Sequence, residues 1–429
     1  MKVLLIADIG GFPKGYPLLP YPTGFIHAGD EAIFQASYRW YKTRKPQYLL
    51  SALTWGRHEN KFNVNFHPHF AWPTQRLKNR LYLIKLALKT VLYKYLRLDT
   101  FTFSESSFLL FLLKHDRIHF VGGGNINSMF PAWLYYSYLI MFVSRLYGKE
   151  LVITGQTLGP FKLIDAILGK ILINFASVVG VRETTKSSGK TKSMLDTAYF
   201  GLAQKHKDKK NLNKTLTIGL SLHEWKGYTR QKIVAYAIKL IKTVSVRYDC
   251  QFVFIPHIVS RRQDLGDLGI YREIKKALGD RINLTKKSFK RDFVEAVRKA
   301  TRSVDLIISS RYHGLVFALS QNVPAINVIL DNYYDKKNTA LLRMVYGQRA
   351  KNYSIDLRKG VTYEETIPKI AYLIDNVALE QSRLTRLNRH LKVNPRISNL
   401  DTLLQNEFPA VKGQRYFIFN RLLEFHENA

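Results

Sequence analysis

Chemically useful side chains are most concentrated in the segment Leu306-Ile-Ile-Ser-Ser-Arg-Tyr-His-Gly. Its apolar residues predict a buried strand that delivers Ser309, Ser310, Arg311 and His313 to the start of a helix. Free N-H groups and the helix dipole favour an anion there. Arg311 adds a permanent charge, and His313 titrates near neutral pH and can transfer a proton. The segment predicts an anion site with a proton-transfer group, although a lone histidine at a helix start is usually structural.

Three more motifs follow predicted strands in the first half of the chain. Gly122, Gly123 and Gly124 precede Asn125, Gln156 lies in Gly155-Gln-Thr-Leu-Gly-Pro160, and Arg182 follows a third strand. Glycine lets a ligand approach the backbone closely, and open α/β sheets bind ligands at the carboxyl ends of their strands. The glycine spacing matches neither the dinucleotide nor the Walker fingerprint, so NAD and ATP are not predicted.

These motifs predict a substrate loop and a second anion ligand. Gln156 can direct its amide at a hydroxyl group, and Arg182 can hold a phosphate or carboxylate through two parallel hydrogen bonds. A tight turn without a ligand is the alternative for the glycines, and a surface ion pair with Glu183 is the alternative for Arg182.

Two acidic residues open a predicted helix in Ala28-Gly-Asp-Glu-Ala. Asp30 or Glu31 can accept a proton from a substrate hydroxyl, because carboxylates are natural acceptors for that task. The alternative is that these residues only stabilise the positive end of the helix dipole.

Two weaker clusters receive no functional assignment. The first contains histidines at loose metal-like spacings without a supporting cysteine or carboxylate cluster, so no metal site is predicted. Its members are His67, His69, His115 and His119. The second follows a later strand and is interpreted as a solvated loop. Its members are Asp331, Asp335, Lys336 and Lys337.

Short apolar runs alternate with amphipathic segments of helical length, a pattern typical of parallel sheets covered by helices. Strands are predicted at 3–7, 48–53, 117–121, 150–154 and 178–181, and again at 215–222, 251–255, 281–284, 305–309 and 325–329. Helices of the second series are predicted at 231–248, 271–278, 290–300 and 315–321. The fold class is therefore α/β, with two doubly wound Rossmann-like domains.

A lysine-rich stretch separates the two series and predicts the domain boundaries. The expected units are an N-terminal domain at 1–203, a basic linker at 204–214, a C-terminal domain at 215–362 and a helical extension at 363–429.

The composition is strongly basic, with 66 Lys and Arg against 32 Asp and Glu and a net charge of +34. The 46% share of hydrophobic residues excludes a disordered basic tail. Such a charge attracts an anionic partner. A nucleic-acid-binding protein is one alternative, but no nucleic-acid motif accompanies the charge, so nucleic acid is not the predicted partner. The single cysteine, Cys250, excludes a disulfide within this chain and favours a cytoplasmic location.

A predicted helix at 76–98 combines an apolar stripe with lysines beside it. The stripe contains Leu77, Leu81, Ile84, Leu88, Val91, Leu92 and Tyr95, and the lysines are Lys78, Lys85 and Lys89. This pattern is typical of a helix lying on an anionic membrane surface. The alternative is a domain helix with its stripe in the core. The longest apolar segment, 130–143, is too short to span a bilayer.

In this order, the motifs resemble those of the polysaccharide pyruvyl transferase family. The matching segments are Gly29-Asp-Glu-Ala-Ile33, Gly122-Gly-Gly124, Gly155-Gln-Thr-Leu-Gly-Pro160, Val181-Arg-Glu183, Asp196-Thr-Ala198 and Ser310-Arg-Tyr-His313. The resemblance implies a glycosyltransferase-B-like arrangement that transfers pyruvate from phosphoenolpyruvate to a sugar as a ketal and releases phosphate. It implies no metal and no cofactor beyond phosphoenolpyruvate as co-substrate.

Residue roles follow from the same resemblance. Arg182, Arg311 and His313, with Ser310 beside them, would hold the donor, and His313 with Asp30 or Glu31 would be catalytic. The C-terminal domain would bind the donor and the N-terminal domain the acceptor.

The acceptor would be a sugar, an oligosaccharide or a lipid-linked glycan of an exopolysaccharide or the cell envelope, in the cytoplasm or at the inner membrane face. The chain departs from the family in an insertion at 12–28, and in Glu183, where the family more often has Asp. A sugar-nucleotide-dependent glycosyltransferase is the alternative enzyme.

Overall fold

A computed structural model describes residues 1–7, 25–54, 62–68, 76–182, 190–202, 215–225, 227–260, 266–284, 293–359, 363–394 and 399–404. Most of the insertion at 12–28, Glu183 and the predicted linker at 204–214 lie outside the described residues. The predicted domain boundaries therefore stay predictions.

The first half of the chain forms a seven-stranded parallel sheet in the order β4-β3-β1-β5-β6-β7-β8. Its strands are β1 (Lys2–Ile6), β3 (Leu49–Thr54), β4 (Asn65–Pro68), β5 (Arg117–Phe120), β6 (Glu150–Gln156), β7 (Val178–Val181) and β8 (Thr191–Ser193), and the short β2 (Phe25–His27) lies outside it. The helices are α1 (Ala28–Arg44), α2 (Arg76–Leu96), α3 (Phe103–Leu113), α4 (Pro131–Leu146), α5 (Leu163–Ile173) and α6 (Thr197–Leu202).

The second half forms a six-stranded parallel sheet in the order β12-β10-β9-β13-β14-β15. Its strands are β9 (Leu216–Ser221), β10 (Cys250–Phe254), β12 (Ile282–Leu284), β13 (Leu306–Ser309), β14 (Ala325–Ile329) and β15 (Ser354–Asp356), with β11 (Ile258–Ser260) outside it. The helices are α7 (Arg230–Arg247), α8 (Asp267–Leu278), α9 (Phe293–Ser303), α10 (Tyr312–Ser320), α11 (Asn332–Tyr346), α12 (Tyr363–Asp375), α13 (Val377–Val393) and α14 (Leu400–Leu404).

Both sheets have the strand order of a doubly wound fold, which confirms the predicted α/β class with two Rossmann-like units. The order reverses between β1 and β5 in the first sheet and between β9 and β13 in the second. Open α/β sheets bind ligands at this reversal, outside the carboxyl ends of the strands. The loops after β5, β9 and β13 are therefore the places where a site is expected.

A two-stranded antiparallel ribbon connects the two halves. It pairs β2 with β11, with Ile26 opposite Val259. Next to it, the Ala28 N-H at the start of α1 donates a hydrogen bond of 2.9 Å to the carbonyl of His257. The ribbon thus brings the N-terminus of α1 against the second half of the chain.

The predicted strands agree with the observed ones to within a few residues, whereas several short strands and helix α3 were not predicted. Edge strands such as β4, β8 and β15 are only three or four residues long and carry little period-two signal. The second half of helix α3, residues 108–113, is entirely apolar, so periodicity alone does not distinguish it from a buried strand.

Helix α2 exposes its apolar stripe. Leu83 and Leu86 pack in the core, while Leu77, Ile84 and Leu88 are more than half exposed. The alternative in which this stripe faces the core is therefore wrong. Among the described residues, no helix is both long and apolar enough to cross a membrane.

Candidate functional site

A cavity of about 200 Å³ lies between the carboxyl ends of the two sheets. The first half of the chain contributes Gly29, Asp30, Gly124 and Asn125 to its wall. The second half contributes Trp225, His257, Arg311, His313, Tyr333 and Lys337. The strand order predicts this location, because both reversal points open onto it.

Arg311 lies on the cavity wall at the N-terminal cap of α10. Its guanidinium forms an ion pair with Asp267, which also accepts hydrogen bonds from the N-H groups of His257 (2.8 Å) and Ile258 (2.9 Å). The buried Nε of Arg311 has no hydrogen-bond partner within the described chain. Arg311 is therefore held rigidly while one donor remains available for a ligand.

His313 also lines the cavity and is backed by a carboxylate. Its Nε2 lies 3.6 Å from Oδ2 of Asp196, a residue of the Asp196-Thr-Ala198 segment. Burial lowers the pKa of His313, and the neighbouring Asp196 opposes this shift only in part. The imidazole is therefore neutral at pH 7, until a bound anion stabilises its charged form.

Arg182 lies beneath the cavity and is fully buried. Its guanidinium donates to Asp196, to the carbonyl of Gly123 and, over 3.2 Å, to Oγ1 of Thr157. It also stacks on the Tyr312 ring, 4.5 Å from the ring centre. Because Arg182 is buried, the alternative that it forms a surface ion pair with Glu183 is wrong. Its role as a phosphate ligand stays a prediction, one that requires it to exchange a protein partner.

Lys337 was missed by the sequence analysis. Residues 331–337 were interpreted as a solvated loop, but Asp331 caps α11 by accepting from the Tyr334 N-H (2.8 Å), and Lys337 lies one turn further along. Its Nζ lies 4.6 Å from the ring centre of Tyr312 and 5.6 Å from that of Tyr333. It makes no hydrogen bond or ion pair within the described residues. The spacing of Tyr333, Tyr334 and Lys337 after a strand end was the available signal.

The charge balance of the cavity depends on Lys337. Burial, reinforced by the positive charge of Arg182, lowers the pKa of Lys337 to about 7, and Asp30 opposes the shift. Lys337 therefore exchanges its proton in the physiological range, unlike an ordinary lysine.

Of the two predicted carboxylates, only Asp30 reaches the cavity. Its Oδ2 lies 3.3 Å from Nδ1 of His27. Burial alone would raise the pKa of Asp30, but the hydrogen bond with His27 holds it below the usual range, so the group is ionised. Glu31 instead accepts a hydrogen bond from Nε2 of Gln35 (3.1 Å).

The predicted substrate loop is divided between the cavity and its floor. Gly124 and Asn125 line the cavity, and the Gly124 carbonyl accepts from the Tyr333 hydroxyl over 3.0 Å. A Cβ at Gly124 would lie 2.6 Å from that hydroxyl oxygen, which explains the glycine. Gly123 lies beneath and accepts from Arg182.

Three other predicted residues also lie on the floor. Gly122 has a φ of 126°, which favours glycine, and Gln156 is buried beside Gly123. The buried Ser310 hydroxyl pairs with Nδ1 of His223 (2.7 Å) and accepts from the backbone N-H of His223 (3.0 Å). These side chains shape the cavity from below and do not line it.

His257 is a second group that the sequence analysis missed. It is buried in the cavity wall, and neither of its ring nitrogens has a partner within the described chain. Burial holds the pKa of His257 well below its ordinary value, so the ring is neutral. Its position after β10 was the signal, since that strand also ends at the carboxyl edge of the sheet.

The loosely spaced histidines have structural surroundings. His119 pairs with the Tyr41 hydroxyl (3.0 Å) and the Thr154 hydroxyl (2.8 Å), and burial lowers its pKa to about 3. His115 pairs with the carbonyl of Phe111 over 2.8 Å. His69 lies outside the described residues. Within the described ranges, no cluster of three potential metal ligands occurs.

Comparison with known proteins gives one family match. The family model for polysaccharide pyruvyl transferase matches residues 27–332. This range includes Asp30, the glycine loop, Arg182, Arg311 and His313. None of the curated proteins compared with the chain shows significant sequence similarity to it.

Solved structures resemble the chain in fold. The S. aureus MnaA structure with UDP has a TM-score of 0.53 and 12% sequence identity, covering 94% of this chain and 93% of that one. A UDP-GlcNAc 2-epimerase from Methanocaldococcus jannaschii, with UDP-GlcNAc and UDP, has a TM-score of 0.47 and 12% identity, covering 87% and 92%. At such low identity, these likenesses concern the fold alone.

Gly29→Ala tests the contact between α1 and α10. A Cβ at Gly29 would lie 1.9 Å from Nδ1 of His313, so the ring must move. We expect the variant to lose about 1–3 kcal/mol of stability in urea unfolding. The double variant Gly29→Ala/His313→Ala should lose less than the sum of the single variants. Additive losses, within about 0.5 kcal/mol, would contradict the contact.

Lys337→Met tests the buried ammonium. Between pH 7 and about 10, the unfolded chain binds a proton at this lysine and the folded chain does not, so wild-type stability rises with pH. Below pH 7 the charged group is buried at a cost. We expect the variant to be more stable than wild type at pH 6, by a margin that shrinks towards pH 9.

Urea unfolding at both pH values measures this margin. Lys336→Met, at the exposed neighbouring position, controls for the loss of one surface charge. A stability difference between Lys337→Met and wild type that stays constant with pH would contradict the assignment.

Proposed function

Since the chain belongs to the polysaccharide pyruvyl transferase family, we propose that it transfers pyruvate from phosphoenolpyruvate to a sugar as a cyclic ketal and releases phosphate. Family membership makes it a transferase of polysaccharide biosynthesis that acts on a sugar or glycan acceptor. The observation that carries the proposal is that Arg311, Lys337 and the ionised Asp30 line one shared cavity.

The cationic side of the cavity suits the donor. Phosphoenolpyruvate carries a phosphate and a carboxylate, and both groups favour charge-assisted hydrogen bonds. The available Nε of Arg311, the N-terminus of α10 and the Lys337 ammonium offer such bonds. His257 adds ring nitrogens that lack a protein partner. A bound anion would also raise the pKa of His313, which would then bind phosphate as an imidazolium.

The reaction requires a defined exchange of protons. One proton must reach the methylene carbon of the donor, which makes C2 cationic and open to attack by a sugar hydroxyl. The C2–O bond to phosphate then breaks, and a second hydroxyl closes the ketal. Two hydroxyl protons are released, one proton becomes part of the new methyl group, and one leaves with the phosphate.

Lys337 and Asp30 are placed for these transfers. An ammonium with a pKa of about 7 is a well-matched acid at neutral pH, and an ionised carboxylate is a suitable base. We therefore assign the proton donation to Lys337 and the deprotonation of the acceptor to Asp30. His313 serves as a phosphate ligand.

The acceptor and location follow from the same proposal. The acceptor is a sugar, an oligosaccharide or a lipid-linked glycan used for exopolysaccharide or cell-envelope synthesis. The reaction takes place in the cytoplasm, consistent with Cys250 as the single, unpaired cysteine of this sequence.

A sugar-nucleotide-dependent glycosyltransferase is the second candidate. It is favoured by the fold that the chain shares with MnaA, whose structure was solved with UDP. A donor screen separates the two. Phosphate release from phosphoenolpyruvate in the presence of a glycan acceptor, together with a ketal methyl signal in the product, supports pyruvyl transfer. Release of a nucleoside diphosphate from a sugar nucleotide, without phosphate release from phosphoenolpyruvate, contradicts it.

Kinetics of two cavity variants test the residue roles. Arg311→Ala should raise the KM for phosphoenolpyruvate by about 10- to 100-fold, the value of a lost charge-assisted hydrogen bond. Lys337→Met should lower kcat by about 10²- to 10⁴-fold, the usual contribution of a positioned acid. Lys337→Met should also abolish a kcat ionisation that wild type shows in its pH profile. If Lys337→Met altered only KM, Lys337 would be a donor ligand and not the acid.

A further inference from the structure

Helices α2 and α5 present unpartnered apolar faces to solvent. On α2, exposure reaches 68% for Leu77 and 63% for Ile84. On α5, it reaches 79% for Leu163 and 54% for Ile167. Most of the large apolar side chains that are exposed in the described chain lie on these helices or just after α2. Soluble proteins rarely leave such contiguous patches uncovered.

The two faces belong to one layer of the fold. Buried residues of α2, α4 and α5 share one core cluster against the first sheet. Helix α4 lies between them, and Arg80 of α2 pairs with Asp165 of α5 over 3.2 Å. The exposed residues are therefore on the outer side of a single helical layer. We call this surface the α2–α5 face, defined by Leu77, Leu81, Ile84, Leu88, Leu163, Ile164, Ile167 and Ile171.

The charges beside the α2–α5 face have one sign. Helix α2 contains no acidic residue. The exposed lysines beside the apolar positions make no ion pair within the part of the chain that is described. They are Lys78, Lys85, Lys162 and Lys170. Lysines around an apolar helical face are the arrangement with which amphipathic helices bind anionic lipid.

We propose that the α2–α5 face docks on the surface of an anionic lipid bilayer. The apolar side chains enter the boundary between headgroups and acyl chains, while the four lysines contact anionic headgroups. A lipid surface is favoured over a protein partner because the basic rim lacks the acidic residues that a mixed-charge protein surface would pair with. The helices lie on the membrane, since neither can span it.

The helices of the docking layer begin close to the cavity. Phe130 lines the cavity and caps α4, the central helix of the layer. Arg80, in the first turns of α2, contacts Tyr135 in the first turns of α4 over 2.5 Å. Both helices therefore begin at the cavity end of the sheet. Docking would hold the enzyme at the membrane surface, and it does not depend on which donor the enzyme uses.

Vesicle sedimentation with the full chain tests the proposal. Vesicles of phosphatidylcholine are compared with vesicles of phosphatidylcholine and phosphatidylglycerol. We expect wild type to bind the anionic vesicles and the double variant Ile84→Asp/Ile167→Asp to bind them about tenfold less tightly or worse. Val246→Asp, at a 90% exposed position on α7, is the matched control and should bind like wild type.

Lysine variants test the charge contribution separately. Lys78→Gln/Lys85→Gln should weaken binding to anionic vesicles and reduce its salt dependence. Wild type that ignores anionic vesicles, or an Ile84→Asp/Ile167→Asp variant that binds like wild type, would overturn the proposal. The proposal would also be overturned if, without lipid, wild type were a dimer and this variant a monomer. The face would then join two copies of the chain.

Activity in solution separates this proposal from the proposed function. Ile84→Asp/Ile167→Asp should keep wild-type pyruvyl transfer to a water-soluble acceptor, because neither residue lines the cavity. Absence of pyruvyl transfer in wild type, with vesicle binding intact, would refute the proposed function alone. Thermal unfolding of Ile84→Asp/Ile167→Asp, compared with that of wild type, shows whether the variant remains folded.

Discussion

A buried guanidinium is costly unless its nitrogens have hydrogen-bond partners, and each of the three nitrogens of Arg182 donates to a group from a different element. It joins Gly123 after β5, Thr157 after β6 and Asp196 before α6, and its flat side covers Tyr312 of α10. Removing one partner of such a pair leaves an uncompensated buried charge, which is costly. Arg182 thereby fixes the relative positions of the loops that form the cavity floor. Asp196, held by Arg182, in turn backs His313.

The cavity concentrates positive charge, and the structure limits the cost by keeping several groups neutral. His257 and His223 remain uncharged because they are buried close to Arg311. Burial and the positive charge of Arg182 likewise lower the pKa of Lys337 to about 7. Like charges in an enclosed space lower one another's proton affinity, so groups that are neutral here would become protonated when an anionic ligand binds. Binding of a multiply charged donor is thus expected to be accompanied by proton uptake.

The sequence predicted the fold class and the placement of motifs at strand ends. The strands that precede these motifs are marked by local apolar runs, and polar residues follow them at their carboxyl ends. Arg311 and His313 reach the cavity for that reason, whereas Asp30 reaches it from the start of α1. The depth of each side chain depends on packing between distant elements, which a single sequence does not encode locally. Arg182 therefore lies one layer deeper than expected. Lys337 reaches the cavity because Tyr333 and Tyr334 turn its helix face inwards.

The ribbon of β2 and β11 has a mechanical consequence for the site. Its backbone hydrogen bonds, together with the bond from Ala28 to His257, join the halves directly beside Asp30. A rotation of one half against the other cannot open the molecule at this seam without breaking those bonds. The ribbon therefore fixes the two halves to each other beside Asp30. Asp30 and His257 accordingly keep their spacing for as long as these backbone hydrogen bonds remain intact.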